Sequence, residues 1–62
     1  MLKIAVDIMG GDNAPNQPLE GIKSYLKSNT NTYFYLVGDK NQITPIINNE
    51  IPKNLHKIIH TT

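Results

Sequence analysis

Three strand-like runs, rich in β-branched and aromatic residues, alternate with two helix-like runs along the 62 residues of this chain. The strand-like runs cover residues 3–9, 32–37 and 57–60, and turn-forming residues separate them from the helix-like runs. Strands that alternate with helices form βαβ units, in which right-handed crossovers bring the strands together in a parallel sheet. The pattern therefore predicts an α/β fold with the order β-α-β-α-β, which is half of a Rossmann-like arrangement.

The first predicted strand is nearly all apolar, which is typical of a parallel strand that helices cover on both faces. The following helix is predicted to begin near Pro18, because the missing N–H of proline costs nothing at the first helical position. Apolar residues recur on one helical face from Leu19 onward, and Lys23 lies late in the helix, where a positive charge suits the helix dipole. Gly21 costs about 1 kcal/mol relative to alanine inside a helix, so we expect it to pack closely on the sheet.

The start of the second helix has two interpretations. Asp39 and Gln42 have the spacing of a helix-capping pair, but Pro45 then lies inside the helix, where proline removes a hydrogen bond. Alternatively, Thr44 is the cap and Pro45 takes the first helical position. We interpret Asp39 as a helix cap, and the choice between the two helix starts stays open at this point.

The size of the chain suggests that it is one part of a larger domain. A chain of 62 residues buries only about 60% of the surface that it exposes when unfolded. It has no cysteine, so no disulfide or thiolate metal site can add stability. Three parallel strands also leave two unpaired sheet edges. We therefore expect residues 1–62 to form a single N-terminal part of a larger α/β domain.

The composition excludes several classes of protein. The net charge is only +1, from six lysines, no arginine and five acidic residues, so the chain lacks the basic surface of a nucleic-acid-binding protein. No apolar run approaches the roughly 20 residues that a membrane-spanning helix needs. The N-terminus has no signal-peptide pattern, and together with the absence of cysteine this favours the cytoplasm.

The unusual polar residues follow the predicted strands and therefore meet at the carboxyl edge of the sheet, where open α/β sheets bind ligands. Gly10, Gly11, Asp12 and Asn13 follow the first strand, and His60 ends the third. The two glycines have two interpretations. Their exposed N–H groups cradle a phosphate, or they form a plain tight turn in which glycine is free to take a positive φ.

The titratable candidates also have two interpretations each. Asp7 either orients a ligand, a neighbouring loop or a general acid or base, or it caps N–H groups of the adjacent turn. Asp12 is a functional or a turn-stabilising carboxylate. His60 is an acid, a base or a phosphate donor, or it is a structural histidine held by a hydrogen bond. His56 is expected at the surface, and the chain shows neither a nucleophile–base pair nor metal-ligand spacing.

The sequence IAVDIMGGDNAP at residues 4–15 resembles the amino-terminal signature of the bacterial phosphate acyltransferases of phospholipid synthesis, the PlsX family. Three later segments resemble the same family in order and spacing. They are EG at residues 20–21, LVGD at residues 36–39 and IHT at residues 59–61. The resemblance extends over residues 3–62, which is essentially the whole chain.

The resemblance implies a Rossmann-like three-layer α/β/α enzyme that forms a homodimer, uses no organic cofactor and associates peripherally with the membrane. Its activity transfers a fatty acyl group from an acyl carrier protein thioester to inorganic phosphate and forms acyl phosphate. Gly10, Gly11, Asp12 and Asn13 then become candidate phosphate- or substrate-binding residues. Asp7, Asp12 and His60 become candidate catalytic residues, and no metal is implied.

The resemblance also implies that the 62-residue chain holds only one wall of the cleft, so we expect it to be inactive alone. Two other functions stay open. One is a small stand-alone phosphate- or nucleotide-binding α/β module. The other is a non-enzymatic interaction fragment that adds its open sheet edge to a partner.

Overall fold

The computed structural model describes residues 1–61. The order of its elements confirms the predicted β-α-β-α-β segment of an α/β Rossmann-like fold. The elements are β1 (Leu2–Asp7), α1 (Asn16–Leu26), β2 (Thr32–Gly38), α2 (Lys40–Ile47), a single 3₁₀ turn (Lys53–Leu55) and β3 (His56–His60).

The three strands form a parallel sheet in the order β1-β2-β3. Because the two crossovers run in the same direction across the sheet, the handedness of such connections places both helices on one face. The alternation along β2 agrees with this placement. Phe34 and Leu36 are buried on the helix side, whereas Tyr33, Tyr35 and Val37 are only half-buried on the other.

The hydrophobic core lies between the sheet and the two helices. Each helix and the chain segments around it contribute apolar side chains, and the cluster is continuous. Its fully buried members are Ile8, Leu19, Leu36, Ile43 and Ile51. Within residues 1–61 the molecule is therefore built of two layers, one sheet and one layer of helices.

The first strand differs from its prediction in its length and in how many of its faces the helices cover. It ends at Asp7, and the next two residues, Ile8 and Met9, lie in the turn that follows. β1 is also an edge strand, in which only Ile4 and Val6 are half-buried. The expectation that helices cover this strand on both faces is not met within residues 1–61, because both helices pack on the same side.

The first helix begins two residues before its predicted start. Pro18 lies in its first turn, where a backbone N–H has no helical partner and proline is tolerated. The close packing expected of Gly21 was wrong. Gly21 is exposed, and a Cβ built on it meets no atom within 4 Å. Neither helix in the described part of the chain has the length and apolar character needed to cross a bilayer.

The second helix begins at the Asp39 cap, which resolves the two alternatives. The Asp39 carboxylate accepts a hydrogen bond from the Asn41 N–H at 2.9 Å, and the Gln42 side chain donates to the same carboxylate at 3.3 Å. The start at Thr44 was wrong. Pro45 lies inside the helix, which ends two residues later with Asn48 in the left-handed region at φ 44°. The backbone hydrogen bond that Pro45 cannot donate is therefore missing from a short helix that is capped at both ends.

Candidate functional site

The predicted polar residues meet at the carboxyl edge of the sheet. The Ile8 N–H donates to the Val37 carbonyl at 2.9 Å, and the Thr61 N–H donates to the Gly38 carbonyl at 2.9 Å. These two bonds continue the ladder just beyond the strand ends. They fix the β1–α1 loop on one side of the end of β2 and His60 on the other.

The loop after β1 presents a run of free backbone donors. Within residues 1–61, the N–H groups of Gly10, Gly11, Asp12 and Asn13 form no hydrogen bond with a protein acceptor. All four residues are exposed. The loop closes at its far end, where the Ala14 N–H donates to the Gly11 carbonyl at 3.2 Å. Consecutive exposed N–H groups of this kind are suited to binding an anion.

The Asp7 carboxylate supports this loop from the end of β1. Its Oδ1 accepts a hydrogen bond from the Met9 N–H at 3.1 Å. A Cβ on Gly10 would lie only 2.8 Å from the Asp7 Oδ2, so the carboxylate leaves no room for a side chain there. Asp7 therefore caps the turn, one of its two predicted interpretations. None of the glycines uses its freedom to take a positive φ, and what Gly10 permits is the close approach of the Asp7 carboxylate.

The side chains of Asp12 and Asn13 are exposed and lie apart from the Asp7 carboxylate cap. Asn13 reaches toward helix α1, where its amide donates to the Gln17 side chain at 3.4 Å. Asp12, Asn13 and Glu20 line an open depression beside the helix start. Two carboxylates and no cation line it, so its charge is unfavourable for phosphate. The phosphate-binding expectation therefore depends on the loop N–H groups and not on this depression.

His60 and Asp39 together cap the start of α2. The Lys40 N–H donates to the His60 Nδ1 at 3.0 Å, while the following N–H, of Asn41, donates to Asp39. His60 is thus held by a hydrogen bond, as one of its two interpretations predicted, although its ring stays exposed. The sequence did not indicate Lys40 as its partner, because the two residues meet only through the tertiary fold. His56 is half-buried at the opposite end of β3, where its Nδ1 lies 2.9 Å from the Pro52 carbonyl.

Two of the four charged groups at this edge are committed to backbone contacts. Asp7 and Asp39 each accept a backbone N–H, and Asp12 and the Lys40 ammonium remain in solvent. No group of three histidine or acidic side chains in residues 1–61 is arranged to hold a metal ion. What this part of the chain offers a ligand is therefore a set of hydrogen-bond donors from the loop backbone and the His60 ring.

Comparison with known proteins gives one family and a consistent set of relatives. The family model described as "Fatty acid synthesis protein" matches residues 2–62. A phosphate acyltransferase of Pelagibacter ubique is 49% identical over 61 residues, which are 98% of this chain and 18% of the relative. Phosphate acyltransferases of Mycoplasmoides gallisepticum and Thermosipho africanus are 40% and 41% identical over 62 and 59 residues, covering 100% and 95% of this chain.

The shared segment is a small part of these relatives. Residues of this chain correspond to 19% of the Mycoplasmoides protein and 17% of the Thermosipho protein. The chain therefore spans about a fifth of the length of the curated relatives that it matches.

Proposed function

This chain belongs to the fatty acid synthesis protein family, and from that premise we propose that the protein containing it is an acyl carrier protein:phosphate acyltransferase. The reaction transfers a fatty acyl group from the carrier thioester to inorganic phosphate and supplies acyl phosphate for phospholipid synthesis. Relatives named phosphate acyltransferase, at 40–49% identity over nearly the whole chain, support the proposal.

The observation that carries the proposal is the run of exposed, unpartnered N–H groups at Gly10, Gly11, Asp12 and Asn13. In the proposed reaction a phosphate oxygen attacks the thioester carbonyl carbon. The new C–O bond forms, the C–S bond breaks, and the carrier thiolate leaves and takes up a proton. An enzyme for this step must hold phosphate in the attacking position, and backbone donors do so without a lysine or arginine.

The contact made by Asp7 and the short length of the chain define what this loop contributes to the proposed reaction. Asp7 keeps the loop in shape through the Met9 N–H, so its part is to position the backbone donors. The chain spans about a fifth of its relatives, so the residues that hold the thioester lie elsewhere in the whole protein. We therefore expect the 62-residue chain to be inactive on its own.

We also propose the substrates, the oligomeric state and the location of the whole protein. The donor substrate is the thioester of acyl carrier protein, and the acceptor is inorganic phosphate. The whole protein is a cytoplasmic homodimer that touches the membrane surface peripherally, where its product is used. These partners and this location rest on the resemblance of residues 4–15 to the amino-terminal signature of that family.

The experiment compares two substitutions at one position in the whole protein. Gly11 has open space where a Cβ would lie, so Gly11→Ala keeps both the loop and its N–H. Gly11→Pro removes that N–H. If the backbone donors hold phosphate, Gly11→Pro raises the KM for phosphate about tenfold or more relative to Gly11→Ala, because hydrogen bonds to a charged group are strong.

Product formation is followed by trapping acyl phosphate with hydroxylamine. Wild-type protein is expected to form it only when phosphate and an acyl carrier protein thioester are both present. A whole protein that forms no phosphate-dependent product would overturn the proposed activity. Equal KM values for phosphate in the two Gly11 variants would overturn the part assigned to the loop.

A further inference from the structure

His60 is held in a way that fixes where its proton resides. The Lys40 N–H donates to its Nδ1 at 3.0 Å, at the point where β3 ends beside the start of α2. An imidazole nitrogen accepts a hydrogen bond only through its lone pair, so Nδ1 carries no proton in this arrangement. The neutral ring therefore carries its single proton on Nε2.

The Nε2–H group has no partner within the described part of the chain. Nδ1 and Nε2 point in divergent directions from the ring, so Nε2 faces away from the start of α2. Among residues 1–61 the His60 ring forms one hydrogen bond, through Nδ1, and none through Nε2. The nearby Asp39 carboxylate is already occupied by the Asn41 N–H and the Gln42 side chain.

The same edge of the sheet carries the free N–H groups of the β1–α1 loop. That loop and His60 flank the end of β2 from its two sides. This edge of the sheet therefore carries donors from the loop backbone on one side of β2 and a donor from the His60 ring on the other.

We propose that His60 acts as a fixed hydrogen-bond donor, through Nε2–H, to an oxygen of a phosphate bound at this edge, and that it is not a general base. The choice of phosphate rests on the function proposed above. The fixed tautomer rests on the Lys40 contact alone. A base at this position would need a free lone pair, and the neutral ring offers none, because Nδ1 is occupied and Nε2 is protonated.

The first test is the tautomer itself, measured on the whole protein labelled with ¹⁵N in its histidine rings. A long-range ¹H–¹⁵N spectrum separates protonated from unprotonated ring nitrogens, and the signals that vanish in His60→Asn identify His60. In the neutral ring we expect an unprotonated Nδ1 and a protonated Nε2. A protonated Nδ1, or the averaged signals of two exchanging tautomers, would overturn the proposal.

The second test separates the role of His60 as a donor to phosphate from its role in capping the start of α2. In His60→Asn, Oδ1 takes the position of Nδ1 on Cγ and still accepts from the Lys40 N–H, while the Nε2 donor is lost. In His60→Gln, an amide N–H reaches the Nε2 position and the contact with Lys40 is lost. With inorganic phosphate as the probe, His60→Asn is expected to bind about tenfold more weakly, while His60→Gln retains more of the affinity.

The outcomes distinguish this inference from the proposed function. A saturable shift of the His60 Nε2 signal on adding phosphate supports the donor role even if the whole protein forms no acyl phosphate. Conversely, an active enzyme whose phosphate affinity and KM are unchanged in His60→Asn would overturn the donor role and leave the proposed activity standing.

Discussion

The Lys23 ammonium lies 2.9 Å from a carboxylate oxygen of Glu50, far along the chain, and ties helix α1 to the segment after α2. The same ammonium donates to the Ile46 carbonyl at 2.7 Å and to the Glu20 carboxylate at 3.2 Å. The Lys23 side chain is only 9% exposed, whereas the side chains of its two carboxylate partners, Glu20 and Glu50, are 63% and 58% exposed. Lys23 thereby joins the two helices on the covered side of the sheet.

Replacing Lys23 is expected to destabilise the fold. Lys23→Met keeps most of the aliphatic stem but leaves the Ile46 carbonyl and the Glu50 carboxylate without their shared partner. We expect a loss of about 1–3 kcal/mol in the free energy of unfolding, measured by urea denaturation. Lys27→Met is the matched control, because Lys27 is an exposed lysine of the same region and should change stability by less than about 0.5 kcal/mol.

The Lys23 contacts also predict a dependence on alkaline pH. The hydrogen bond to Glu50 raises the pKa of Lys23 above 10.5, its ordinary value; the bond to Glu20 and the charges of both carboxylates add to this, against a lowering by burial. Because the folded pKa exceeds the unfolded one, the stabilisation is fully present below about pH 10.5 and is lost as pH rises through the folded pKa. The stability difference between wild type and Lys23→Met should therefore shrink from about pH 10.5 upward. A stability difference that stays constant as the pH rises through this range would contradict the assignment of these contacts to the charged Lys23 ammonium.

The order of elements was predictable because local patterns determine it. The β-branched runs, the helical spacing from Leu19 and the Asp39–Gln42 pair are all short-range signals, and each element appears where such a signal lies. Partnerships across the fold were not predictable in the same way. The Lys23–Glu50 pair and the Lys40–His60 contact join residues whose separation along the chain carries no periodic signal.

The candidate site was predictable in position and only partly in detail. Parallel strands bring their carboxyl ends together, so Gly10, Gly11 and His60 were expected at one edge from topology alone. Which interpretation of Asp7 held depended on a distance of 3.1 Å to the Met9 N–H, and no pattern in the sequence encodes that distance. Whether helices cover β1 on one face or on both was likewise not encoded in its own residues, because it depends on which side of the sheet the two helices pack.

Gly21→Ala is expected to stabilise the chain. Gly21 lies inside α1, is exposed, and offers an added Cβ open space. Alanine lowers the backbone entropy of the unfolded chain without meeting any atom, so the gain should be about 0.5–1 kcal/mol. Thermal unfolding gives the comparison, with Ser24→Ala at another exposed position of the same helix as the control. A lower Tm in Gly21→Ala would mean that the helix packs against something at this point.

Gly38→Ala is expected to have the opposite effect. Gly38 is buried at the end of β2, where a Cβ would lie 2.7 Å from the Met9 Cγ and 3.1 Å from the Ile43 Cδ1. Overpacking of this kind costs about 1–3 kcal/mol. In a Met9→Ala background the nearer contact is absent, so the added methyl at position 38 should cost less, and the double-mutant cycle measures the difference. An equal loss of stability from Gly38→Ala in the two backgrounds would contradict the close contact between position 38 and Met9.

Asp7 gives the sharpest distinction between a supporting carboxylate and a reacting one. Asp7→Asn keeps an oxygen that accepts from the Met9 N–H, whereas Asp7→Ala removes it and frees the loop. If Asp7 only positions the loop, Asp7→Asn should retain stability within about 0.5 kcal/mol and keep its phosphate affinity. Asp7→Ala should lose about 1 kcal/mol and bind phosphate more weakly, because the loop donors lose their alignment. Urea denaturation and phosphate titration of the whole protein measure the two effects separately. A stable Asp7→Asn protein that binds phosphate normally but forms no acyl phosphate would show that the negative charge itself takes part in the reaction.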